Sequence, residues 1–226
     1  MKTNYIIATW NGIRVKKDTF YNYLDTLRNH LDRMNSISNN LFQITIMKPK
    51  SDSINSYYDI ELDDKIKIIE CENEYYSYGQ WLKAIKMFMD EFDYHILIED
   101  DYVPDINDFD TKLIELYEEK SYLCSLVGTH ESKGVKYPFH CRISNGMISS
   151  NTIRKVLNNV DYNDWFIKYG DYQIAFSRYL YENGIDLVDY TDSYMVDYHA
   201  YGNMIDYSNP ECINKEKIFT PIQSIV

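Results

Sequence analysis

The chain has 226 residues, 45% of them hydrophobic and 26% charged, with a net charge of -12 from 35 acidic and 23 basic side chains. That is a globular composition at a length suited to one α/β domain with a real core. Such acidity argues against a protein that tracks nucleic-acid phosphates, which needs clustered Lys and Arg, and against attachment to an anionic membrane by charge alone. The four cysteines, Cys71, Cys124, Cys141 and Cys212, show no CxxC pairing, so neither a zinc framework nor a disulfide scaffold is expected. The opening "MKTNYIIATWNGIRVKK" has an apolar run too short for a signal-peptide core, and no stretch reaches the roughly 20 apolar residues of a membrane span. The expected setting is cytoplasmic.

In chain order, "NYIIATW" (4–10) reads as a buried strand. A helix is predicted from about Lys17, with Phe20, Tyr23, Leu24, Leu27, Leu31 and Met34 at spacings of three and four. "LFQITIM" (41–47) is a second strand, "KPKSDSINSYYD" a polar loop, and "KIKIIE" (65–70) a third strand. In "SYGQWLKAIKMFMDEF" a helical apolar stripe runs from Tyr78 through Trp81, Leu82, Ile85, Phe88 and Met89 to Phe92, with Ser77 placed as an N-cap. The strand "YHILIE" then runs into Glu99, Asp100 and Asp101. A short helix is expected around 108–119, a strand at 122–127, a loop at "ESKGVKYPF" between His130 and His140, and a strand at "CRISNGMIS". "NTIRKVLNNV" reads as a helix starting at Asn151, "DYQIAFSRYLYENG" as a helix closed by Gly184, and "IDLVDY" as a late strand.

This alternation predicts an α/β fold, a mostly parallel central sheet covered by helices on both faces, as a single domain over 1–226. Ligands in such folds sit beyond the carboxyl ends of the strands, where the acid triplet lies. Like charges a few ångströms apart repel unless a cation, a positive ligand or water offsets them. A strand end carrying Glu99, Asp100 and Asp101 therefore either faces water or holds a hard divalent cation, since Mg²⁺ and Mn²⁺ take one or two carboxylates together with phosphate oxygens. The 23 tyrosines are either a coding bias or an aromatic surface suited to sugars or bases. No G-x-G-x-x-G or G-x-x-x-x-G-K-[ST] occurs, so the dinucleotide and P-loop readings lack their phosphate loops.

Three segments resemble the GT-A fold glycosyltransferases that use nucleotide sugars: "IIATWNGIR", "YSYGQWLKAIKMFMDEFDYHILIEDDYVP", and "ISNGMISSNTIRKVL" followed by "YGDYQIAFSRYLYENGIDLVDY". The first is similar to that family's opening strand and nucleotide-binding loop. The second is similar to the helix before its Asp-x-Asp motif and to the motif itself, with Glu99 in place of the first Asp. The third is similar to the acceptor-side strand and its acid-headed helix.

The resemblance implies a hexosyl- or deoxyhexosyltransferase with a Mn²⁺ or Mg²⁺ cofactor. Its donor would be a nucleoside-diphosphate sugar and its acceptor a hydroxyl-bearing glycan or other molecule. Residues 1–101 would form a nucleotide-binding half and 102–226 an acceptor-binding half. Asp101 would hold the metal, with Glu99 on the ribose or on the metal through water, while Asp100 is expected on the opposite face of the strand. Thr9, Trp10, Asn11 and Arg14 would line the nucleotide; a strand and an Asn-Gly turn with a core Trp10 is the other reading. His199 is either a metal ligand or a surface histidine. Asp171, behind Gly170, suits a helix N-cap and, by the resemblance, the general base of an inverting enzyme. The alternatives kept are a retaining enzyme of the same fold, a nucleotidyltransferase of related topology, and a non-catalytic carbohydrate-binding or interaction domain.

Overall fold

A computed structural model describes residues 1–9, 15–16, 19–20, 37, 41–50, 64–100, 102–104, 108–132, 135–189 and 219–221. At its centre is β1 (Thr3–Ala8), buried at every position. A strand covered on both faces is expected to read as an apolar run, as Tyr5, Ile6, Ile7 and Ala8 do, while Thr3 and Asn4 are buried polar residues. It pairs in parallel with β4 (Phe42–Pro49), which pairs in parallel with β5 (Ile66–Cys71). The chain then returns through helix α1 (Tyr76–Phe88) to lay β6 (Tyr94–Glu99) against the other edge of β1. The sheet has thus grown outward on one side of β1 and resumed on the other, which makes the β1/β6 junction a topological switch point.

Beyond β6 the pattern changes. Strands β8 (Ser121–Ser132) and β9 (Val135–Ser149) form a long hairpin, and β9 enters beside β6 in the antiparallel sense. The finished sheet has seven strands in the order β10-β8-β9-β6-β1-β4-β5, with β10 (Asp186–Asp189) parallel to β8. Two small pairs complete the described strands: β2 (Val15–Lys16) with β3 (Thr19–Phe20), and β7 (Tyr102–Pro104) with β11 (Phe219–Pro221).

Each face of the sheet is covered. On one side Ile6, Leu97, Trp81, Leu82, Phe176 and Leu180 join a single core under α1 and α5 (Tyr172–Glu182). On the other, Tyr5, Ile7, Ile96 and Ile98 pack with Phe109 and Leu113 of α2 (Phe109–Leu116). The expected stripe of α1 is buried from Tyr78 to Met89, each large apolar side chain contributing roughly 1.5–3 kcal/mol by leaving water. Helices α3 (Ser150–Asn159) and α4 (Tyr162–Tyr169) precede α5.

Several local expectations are corrected. The helix predicted from about Lys17 does not begin there, because Thr19 and Phe20 pair as a strand with Lys16 and Val15; its remaining residues lie outside the described ones. Ser77 lies inside α1, whose cap position is Tyr75 in the left-handed region. The cap of α3 is Ser149, which accepts from the Thr152 N–H at 3.1 Å, so Asn151 is already helical. The stretch read as a loop around "ESKGVKYPF" belongs to the β8–β9 hairpin, and His140 is fully buried in β9. Among the described residues, no helix is long and apolar enough to cross a membrane.

Candidate functional site

A cleft of about 600 Å³ opens at the carboxyl ends of β1 and β6, at the switch point. Its floor is Ala8, Thr9, Glu99 and Asp100. One wall is the first turn of α1, with Tyr76, Ser77 and Gln80. The facing wall is the corner between α4 and α5, with Gly170, Asp171 and Tyr172.

The floor is held by side chains replacing backbone ladders that stop short. Strand β9 pairs with β6 only as far as Leu97 opposite Gly146. Past that point the Glu99 N–H donates to Asn145 Oδ1 at 2.7 Å, so a buried amide continues the work of a strand. On β6, Glu99 shares a face with His95 and Leu97, toward α1. There its Oε1 accepts from Ser77 Oγ at 2.6 Å. Asp100 extends the β1 side, its N–H donating to the Ala8 carbonyl at 3.1 Å. It was expected on the opposite face of the strand; at 4% exposure it is buried, yet it also borders the cleft.

Thr9 is fixed on three sides. Its N–H donates to Gln80 Oε1 at 2.9 Å, and Gln80 Nε2 donates to its carbonyl at 3.0 Å. Its hydroxyl donates to the Met47 carbonyl at 2.6 Å. Gln80, at 2% exposure, thus joins α1 to the end of β1.

The α1 wall is strained. Tyr75 and Tyr76 both sit in the left-handed region, at φ 60° and 51°, a conformation costing a non-glycine residue roughly 1–2 kcal/mol. Packing holds it: the Tyr75 ring stacks on Phe166 of α4 at 4.4 Å between centroids and 7° between planes. Gly79 permits it, because a Cβ there would lie 2.0 Å from the Glu74 carbonyl oxygen.

On the far wall α4 ends at Gly170, at φ +69°, where a glycine avoids the left-handed penalty. Asp171 follows at once and caps α5, its Oδ1 accepting from the Ile174 N–H at 3.1 Å. The residue remains exposed to the cleft.

Three carboxylates, Glu99, Asp100 and Asp171, border the cleft, and among its described lining residues there is no Lys, Arg or His. Glu99 and Asp100 are hard oxygen donors of the kind Mg²⁺ or Mn²⁺ takes in small number, with phosphate oxygens and water completing the shell. Among the described residues no three His, Cys, Asp or Glu side chains converge as a metal cage. Glu99 and Asp100 are the described carboxylates on the cleft floor that could supply oxygens to a cation.

Of the site residues expected from sequence, Thr9, Glu99 and Asp171 meet in this one cleft. Trp10, Asn11, Arg14, Asp101 and His199 lie outside the described residues. Sequence reasoning missed Asn145, Gln80 and the Ser77–Glu99 bond. Asn145 carries a weak signal in hindsight, as a polar residue inside the apolar strand pattern "ISNGMIS".

No protein-family model matches the chain, and no curated protein matches it. The likeness lies in three-dimensional structure and is one of fold, an α/β Rossmann-like arrangement of a mostly parallel seven-stranded sheet under helices. The chain superposes on a nucleotidyl transferase from Methanothermobacter thermautotroptrophicus with a TM-score of 0.52 and 10% identity, covering 84% of this chain and 86% of that one. With 4-diphosphocytidyl-2C-methyl-D-erythritol synthase from Anaerococcus prevotii the TM-score is 0.53 at 12% identity, covering 83% and 86%. With the glycosyltransferase GlyE of Streptococcus pneumoniae it is 0.45 at 14% identity, covering 83% of this chain and 45% of that one.

Proposed function

We propose that the protein is a metal-dependent glycosyltransferase that moves a sugar from a nucleoside-diphosphate donor to a hydroxyl acceptor with inversion. One observation carries the reading: Glu99, from the acid-tipped strand, and Asp171, from a helix N-terminus on the other wall, border the same cleft at the switch point. A donor with its diphosphate toward the strand ends would present its anomeric carbon toward Asp171.

In this reading Thr9, Trp10, Asn11 and Arg14 receive the nucleotide, with Gln80 fixing the Thr9 backbone from which that loop departs. Asp101 and Glu99 would hold the Mg²⁺ or Mn²⁺ that accompanies the diphosphate, and His199 is a further candidate ligand. The cation's contribution when bound is to offset the negative charge that builds on the departing diphosphate. Asn145 and Ser77 hold Glu99 in one orientation, so the floor needs little reorganisation on binding. Asp171 takes the proton of the acceptor hydroxyl as that oxygen bonds to the anomeric carbon and the bond from that carbon to the diphosphate breaks.

Nucleotidyl transfer is the second reading, favoured by what the Methanothermobacter and Anaerococcus proteins are described as. Against it stands the opening loop: "TWNGIR" has a single glycine and one basic residue where a triphosphate would need a cradle.

The test is to screen nucleotide sugars for Mn²⁺-dependent thermal stabilisation and then to analyse products with simple acceptors. The expected result is stabilisation by mass action, its loss in Asp101→Asn with the metal-free fold intact, and release of nucleoside diphosphate. Release of pyrophosphate from a nucleoside triphosphate would replace this reading with nucleotidyl transfer. Equal stabilisation of Asp101→Asn would remove the metal role from that residue.

A further inference from the structure

The wall between Glu99 and Asp171 is made of aromatic rings that the fold has gone out of its way to present. Tyr76 is 55% exposed, follows Tyr75 in a second left-handed conformation, and borders the cleft. Its ring lies 5.4 Å from that of Tyr172, tilted by 43°, and Tyr172 directly follows Asp171. Behind them the support is rigid. Tyr172 meets Phe166 in a tilted contact at 5.9 Å and Tyr75 edgewise at 5.7 Å, and Tyr75 is stacked flat on Phe166. The two rings stand at an angle to each other, and Asp171 and Gln173 line the cleft beside them.

We infer that Tyr76 and Tyr172 form the acceptor shelf and that the acceptor is a neutral pyranose sugar. This rests on the glycosyltransferase reading and names its second substrate. A pyranose has an apolar C–H face and a rim of hydroxyls, which matches an aromatic face bordered by a carboxylate and an amide. A nucleobase, by contrast, gains most from parallel stacking, and two rings at 43° cannot both lie flat on one planar ligand. Charge selects further. The donor diphosphate would enter with its cation, whereas an acceptor sugar carrying its own carboxylate or phosphate would meet the carboxylates Glu99, Asp100 and Asp171 that border the cleft. Tyr76 presents its ring from a left-handed residue at the start of α1, next to the left-handed Tyr75, and Gly79 leaves room for the Glu74 carbonyl behind them.

The experiment is a ligand-observed NMR titration of the full chain with methyl gluco-, galacto- and mannopyranosides, methyl glucuronide and uridine, each with and without UDP and Mn²⁺. Tyr76→Ala and Tyr76→Phe are compared with the unaltered protein. At least one neutral glycoside is expected to bind, the glucuronide more weakly. Tyr76→Ala should weaken that binding about tenfold, whereas Tyr76→Phe, which keeps the ring, should stay within about threefold. Absence of binding by every neutral glycoside, unchanged affinity in Tyr76→Ala, or tighter binding of the glucuronide overturns the proposal. So does uridine binding that depends on Tyr76, which would make the shelf a base site. The thermal shift of the unaltered protein with UDP and Mn²⁺ is recorded alongside. Its absence counts against the transferase reading, while Tyr76-dependent binding of a neutral glycoside would still uphold the sugar shelf.

Discussion

His95 and Glu99 stand on the same face of β6, near its two ends, and their surroundings are opposite. His95 is fully buried: its Nε2 lies 2.9 Å from Ser150 Oγ, and the Ser150 hydroxyl in turn donates to the Phe92 carbonyl. Since that proton points to Phe92, Nε2 carries the donated hydrogen and Nδ1 is left as a bare acceptor, with no hydrogen-bond partner. Burial pushes the imidazole down to about 3, so it is neutral in the folded protein. Glu99 is only half-buried, oriented by Asn145 and Ser77, and turned to a cavity. One end of the strand closes the structure with a polar group; the other aims a polar group outward. The contrast puts the carboxylate that borders the cleft at the carboxyl end of the strand, where the packing leaves room for it.

The largest effect is expected where the cleft wall depends on a missing side chain. Gly79→Ala would drive a Cβ into the Glu74 carbonyl, and it should cost about 3 kcal/mol of stability in urea unfolding. A variant as stable as the parent would mean that the Tyr75–Tyr76 turn is not fixed by this contact.

Next comes the pH dependence of the closed end. The folded-state value of His95 lies below its unfolded one, so the unfolded chain takes up a proton first as pH falls. Its contribution is fully present above about 6.5 and is lost as pH falls from there toward about 3. His95→Gln should flatten that part of the stability profile. An unchanged slope would show that other groups set it.

A smaller effect belongs to the open end. Ser77→Ala removes a charge-assisted bond to a half-buried carboxylate, and it should cost about 1 kcal/mol or less in stability. If Glu99 works in the cleft, the donor KM should rise although the fold is barely affected. A stability loss with unchanged donor kinetics would make the Ser77–Glu99 bond purely structural.

Much of this architecture was legible beforehand because burial writes itself into long apolar runs. Strands β1, β4 and β6 and helix α1 announce themselves by periodicity, and Asp171 by its place between a glycine and an amphipathic run. What escaped was decided by tertiary packing. Helix α4 is only eight residues long, and its signals were its caps, Asp161 and Gly170, more than its apolar period. The α1 cap was misplaced because a tyrosine in the left-handed region has no sequence signature; the stacking of Tyr75 on Phe166 stabilises it. Among the tyrosines, Tyr5, Tyr122 and Tyr179 are fully buried, so part of that abundance is core. Asn145 could not be read as a support for Glu99, since it acts where a ladder between two strands gives out.

The central claim, that the open end and the Asp171 corner face each other across a reacting sugar, is tested most directly by kcat in Asp171→Asn, measured with melting temperature and product stereochemistry. Asn caps a helix nearly as well as Asp, so the bond to the Ile174 N–H and the melting temperature should persist. It cannot take up a proton, so kcat should fall by at least ~10²-fold while the parent enzyme yields inverted product. Near-normal turnover in the variant, or product that keeps the donor's anomeric configuration, would contradict the claim.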